Sequence, residues 1–159
     1  MKTLCAFFFG LCVASVLAAD PPARPAPQGV SKDAARQAIA IFRQEPVSDR
    51  GREAAATIFR FAQGSPDVEV VKSKNALPWL ATRALTKYNS VLLTAYIAGS
   101  VLSQLDSGLT RNDPVAGAVQ VIETYQLIQK TDPTFRMPEV EKLVDLQTQG
   151  KLKEYVETP

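Results

Sequence analysis

The side chains in this sequence that could move protons are carboxylates. Histidine is absent, and both cysteines, Cys5 and Cys12, lie in the first twelve residues. Two acid pairs have spacings to weigh: Glu139 with Glu141, and Asp113 with Glu123. A glycoside hydrolase sets two carboxyl groups about 5–10 Å apart, one as acid and the other as base or nucleophile. Each of these acids also has a structural task. Glu139 and Glu141 follow Pro138 at the start of a helical pattern, where negative charge offsets the positive end of the helix dipole. Asp113 precedes Pro114 as a capping acid precedes a first-turn proline. Glu123 falls on the polar side of its helix. The acids are therefore assigned structural work, and no catalytic residue is named.

Residue types and motifs close off most other chemistry. A chain without His or Cys beyond its start cannot hold ordinary structural zinc or attach c-type haem. It cannot run a Ser-His-Asp or Cys-His nucleophile either. The Ser-x-x-Lys motif, a Gly-rich phosphate loop, a dinucleotide fingerprint and calcium-loop spacing are all missing. No cofactor and no metal are expected.

Binding chemistry has more to work with. Arg36, Arg43, Arg50, Arg52 and Arg60 form a basic cluster, a candidate patch for an anion or an acidic partner. Solvated helix faces also carry charge in this way. The whole chain has a net charge of +2, but residues 20–88 hold eleven Lys/Arg against seven Asp/Glu and residues 89–159 hold six against nine. The two halves attract each other. Nucleic acid is not expected, since no aromatics interleave with the basic residues. Trp79 is assigned to the core.

The N-terminus predicts export. Lys2 precedes an apolar run from Leu4 to Leu17, and Ala18 and Ala19 supply a small-residue exit. This is the tripartite pattern of a secretory signal over residues 1–19. The run is shorter than the roughly 20 residues that span a bilayer, so membrane contact is expected only through an uncleaved signal. The expected location is periplasmic or extracellular. Pro21, Pro22, Pro25 and Pro27 then mark a Pro/Ala-rich disordered tether over residues 20–30.

From residue 31 to 159 the spacing predicts one all-α domain. Ser31 caps a first helix, whose apolar side holds Ala35, Ala38, Ile39 and Phe42. Pro46 ends it, and Ser48 or Asp49 caps a second with Ala54, Ile58 and Phe61 on its stripe. Val68–Val71 favours strand but is short, and is read as a linker. Asn75 is expected to cap a segment with Pro78 in its first turn. Residues 90–105 are apolar on every side, which predicts a buried central helix, with Ala95, Gly99 and Ser103 forming a small-residue strip. Asp113-Pro114 opens the next helix, Pro138 another, and a last amphipathic turn follows Gly150.

The expected fold is five to seven short amphipathic helices in antiparallel hairpins around that central helix, with no disulfides. The pair 90–105 and 113–130 resembles tetratricopeptide-type helix pairs at Tyr125 and Pro133 alone, which implies an α-solenoid-like arrangement without family membership. The expected function is an exported, non-catalytic interaction or scaffold module with a protein or peptide partner. The alternative is a carboxylate-dependent hydrolase of a cell-envelope polymer.

Overall fold

A computed structural model of the chain describes residues 29–82 and 86–158. The expected signal, and all of the expected tether but its last two residues, lie outside the described residues. The chain is all-α: α1 (Lys32–Gln44), α2 (Asp49–Gly64), α3 (Trp79–Thr82), α4 (Asn89–Ser107), α5 (Pro114–Thr131), α6 (Pro138–Thr148) and α7 (Leu152–Glu157). There is no strand among the described residues. No described residue is a cysteine, so packing holds this domain. No helix among the described residues is long and apolar enough to cross a membrane.

The α1–α2 hairpin is set by local chemistry. The Ser31 hydroxyl accepts the Ala34 N–H at 3.1 Å, and the Ser48 hydroxyl accepts the Gly51 N–H at 2.9 Å. Both satisfy amides that the first turn leaves without a carbonyl. Pro46 drives Glu45 out of helical geometry and stops α1. The chain then turns so tightly that a Cβ on Gly51 would collide with the Glu45 carbonyl. Ala35, Ala38, Ile39 and Phe42 meet Ala54, Ile58 and Phe61 in the core. Each large aliphatic or aromatic side chain covered there contributes about 1.5–3 kcal/mol.

Helix α4 lies between this hairpin and α5. It buries Leu92, Ala95, Tyr96, Val101 and Gln104, while Val91, Leu93, Leu102 and Leu105 stay half-covered. Small residues let α5 come close. A Cβ on Gly99 would strike the Ala116 carbonyl, and one on Gly117 would strike the Tyr96 ring. Gly108, in the left-handed region at φ 68°, ends α4. Asp113 caps α5, its carboxylate accepting the Ala116 N–H at 2.9 Å.

Helices α6 and α7 pack on the far side of α5. Tyr125 ties α5 to α6: its hydroxyl donates to Glu141 at 2.8 Å and accepts from Gln129 and from the Met137 N–H. Phe135 closes the same corner edge-on to both Tyr88 and Tyr125.

One expected cap is corrected. Ser73, rather than Asn75, starts the turn before α3, its hydroxyl accepting the Ala76 N–H at 3.2 Å. The Asn75 amide is turned to the other end of the chain, donating to the Tyr155 and Thr158 carbonyls at 2.9 Å each. Those carbonyls close the last helix, so a long-range bond outcompetes the local one. The helix that follows has only four residues, with Trp79 buried and Leu80 exposed.

Candidate functional site

Crossing α4 and α5 so closely leaves an open groove of about 780 Å³ on one side of the pair. Its floor is mixed: Leu102 from α4 and Val115 and Val119 from α5 are apolar, with the polar Ser103, Asn112 and Gln120 beside them. Its rim carries both signs of charge, with Arg43 of α1, Arg111 of the α4–α5 loop and Lys153 of α7 against Asp106, Glu123 and Glu157. The loop is pinned from within. Ser103 donates to the Asp113 carboxylate at 2.6 Å, Ser100 donates to the Asn112 side chain at 3.1 Å, and the Asp113 N–H donates to Ser100 at 3.2 Å.

The five arginines are distributed along the hairpin. Arg36 reaches from α1 to Asp106 and to the Leu105 carbonyl, the latter at 2.7 Å. Arg43 pairs with Glu123 at 3.1 Å, on the groove rim. These two bind α1 to the α4–α5 pair. Arg50 pairs with Glu45 at 2.8 Å and Arg52 with Asp49, both at the start of α2. Arg60, further along α2, bonds the Ala56 carbonyl and the Thr57 hydroxyl at 3.4 Å. Four of the five charges are thus answered by carboxylates of the domain, and only Arg43 lines the groove.

The candidate acids do not converge. Asp113 and Glu123 both border the groove. They are ten residues apart on one helix, a rise of about 15 Å, and each carboxylate is tied in place, by the α5 cap and by Arg43. Glu139 and Glu141 are two residues apart in α6, so they project to different sides. Glu141 accepts the Tyr125 hydroxyl and lies 3.8 Å from Arg136. The carboxylates of Asp113, Glu123 and Glu141 are thus each engaged by a group of the domain. Among the described residues no cluster of three or more His, Cys, Asp or Glu could hold a metal ion.

A second polar constellation adjoins the groove and shares Asn112 with it, where side chains of α4 and the α4–α5 loop grip the backbone of residues 67–71. Gln104 accepts the Glu69 N–H and donates to the Glu69 carbonyl, both at 2.8 Å. Asn112 accepts the Val71 N–H at 3.1 Å, and the Tyr96 hydroxyl donates to the Val71 carbonyl at 2.6 Å. Thr110 donates to the Asp67 carbonyl at 3.1 Å. Burial pushes the Tyr96 phenol above its ordinary value, so it stays a proton donor. The linker is therefore a strap, free of helix, turn and bend from Val68 to Ser73, and held by its main chain.

Sequence reasoning missed Arg111, Lys153 and Glu157 on the groove rim and the polar grip on the strap. Arg111 sits on the α4–α5 loop and Lys153 and Glu157 on α7, so no local pattern joins them to the rest of the rim. The grip did leave a trace: Ser100 and Gln104 are polar residues one turn apart in a largely apolar helix, a placement that demands buried partners. Comparison with protein-family models, with curated proteins and with solved structures finds no match to this chain.

Proposed function

We propose that this protein is an exported, non-catalytic interaction module that binds a peptide segment of a partner protein in the α4–α5 groove. The observation that carries the reading is the groove: apolar side chains of α4 and α5 framed by cations and anions. Such a surface suits a segment with apolar anchors and charges of both signs. Arg111 and Lys153 are exposed cations with no carboxylate partner among the described residues, so they are available to a ligand. The wide separation of Asp113 from Glu123 favours binding over hydrolysis. Export rests on Lys2, the apolar run and the Ala18-Ala19 exit.

The test is a selection of random peptides displayed on phage against the purified protein. Enriched peptides are expected to lose at least about tenfold in affinity when Val119→Asp charges the floor or Arg111→Glu inverts the rim, with the thermal midpoint unchanged for the exposed Arg111 substitution. Failure to enrich any peptide, or enrichment indifferent to both substitutions, refutes the reading.

A further inference from the structure

The strap that α4 holds has two edges, and only one is used. In an extended chain the N–H and C=O of residues i and i+2 point to one edge, and those of the residues between point to the other. Glu69 and Val71 direct theirs at Gln104, Asn112 and Tyr96. Val70 and Lys72 therefore direct theirs outward, where the main chain of neither finds a partner among the described residues. The side chains agree with this geometry: Val68 is buried and Val70 packs on the core, while Glu69 and Val71 face solvent. Side chains of α4 and of the α4–α5 loop thus bond one edge of the strap, and the main chain on its other edge has no partner among the described residues.

The ground beside that edge is apolar and positive. A pocket of about 270 Å³ begins at the strap's end, lined by Lys72, Ser73, Lys74, Leu77, Leu80 and Ala81. Leu80 is 41% exposed and Val71 51% exposed, two of the four large hydrophobics that the described residues leave open to water. Lys72 and Lys74 are exposed and make no ion pair among the described residues. An unpaired strand edge is a template for another strand. Beside it, apolar surface rimmed by unanswered cations selects apolar and acidic side chains.

We propose that the outer edge of residues 70–72 receives an extended peptide as an added strand, with acidic and apolar side chains alternating over Lys72, Lys74 and the Leu77–Leu80 pocket. Main-chain pairing supplies attachment and the alternate side chains supply selection, the division of labour seen in strand addition generally. This surface is separate from the α4–α5 groove, so either can fail alone.

A blocked peptide of alternating valine and aspartate, titrated into the isotope-labelled full protein, is the probe. Binding is expected to shift the Val70 and Lys72 amides and slow their hydrogen exchange, leaving Val115 and Val119 unmoved. The Lys72→Glu/Lys74→Glu variant, altered only at exposed positions, is expected to bind at least about tenfold more weakly. The same peptide with alternate amides N-methylated, which cannot pair, is expected not to bind to the unaltered protein. The proposal is overturned if a valine–lysine peptide binds as well. Shifts confined to the groove overturn it, as does pairing of the protein with a second copy of itself in place of the peptide, or the absence of binding at millimolar peptide.

Discussion

The α1–α2 hairpin and the α4–α5 pair are both two-helix units, yet they cohere for different reasons. The hairpin is one-sided. Each helix has a serine cap, a single apolar stripe and a polar face, and its ion pairs sit at the surface. The α4–α5 pair is apolar on most sides and meets through glycines, with Ser100, Gln104 and Thr124 buried in it. Stripe packing tolerates small adjustments of distance. Glycine packing fixes the distance, and the buried polar groups then have to find partners. Ser100 finds the loop at Asn112, Gln104 the strap at Glu69, and Thr124 the side chain of Gln120 within α5. The element that is hardest to justify as a surface helix is thus the one that organises both candidate binding surfaces.

Substitutions sharpen the contrast. Ile58→Ala empties a fully buried position of the hairpin stripe and is expected to cost about 2–5 kcal/mol, read from denaturant unfolding. Gly99→Val forces α4 from α5 and is expected to cost about 1–3 kcal/mol and to weaken peptide binding in the groove. Gly64→Val, at the end of α2 where the space is open, is expected to change stability by less than about 1 kcal/mol. Equal costs at the two glycines would show that the close crossing is not what holds the pair.

Smaller effects are expected at the edges of each unit. Ser48→Ala removes the α2 cap and is expected to cost about 1 kcal/mol without touching the strap. Asp132, beyond the end of α5, accepts from Thr134, Lys87 and Tyr88, which hold its carboxyl well below the usual carboxylate range. A depressed carboxyl stabilises the fold above its unfolded value, near pH 4, and that contribution is lost as pH falls toward its folded value. Acid titration of unfolding is therefore expected to show a loss below about pH 4 that Asp132→Asn makes shallower. An unchanged acid limb in that variant would remove Asp132 from the account.

The contrast also explains what the sequence disclosed. Ser31, Ser48, Asp113 and Gly108 act within a few residues of themselves, so their capping and stopping roles are legible from neighbours alone. The α1 and α2 stripes are legible for the same reason. Asn75 was misread because its partners, Tyr155 and Thr158, are eighty residues away. Arg36 and Arg43 read as an open basic patch, but Asp106 and Glu123 meet them from the other half of the chain. The charge asymmetry between the halves was visible; its pairing was not. The groove rim draws on α1, α4, a loop, α5 and α7, and the Glu69 bonds of the strap depend on a side chain thirty-five residues downstream. Neither has a local signature beyond the polar Ser100 and Gln104.

The central claim is that α4 and the loop after it hold the strap with one edge filled and one edge open. Amide hydrogen exchange on the folded protein tests this directly. Glu69 and Val71 are expected to exchange slowly and Val70 and Lys72 fast, and Gln104→Ala is expected to release Glu69 while α1 and α2 keep their protection. Equal exchange at all four amides, or protection at Glu69 that survives Gln104→Ala, would contradict the account.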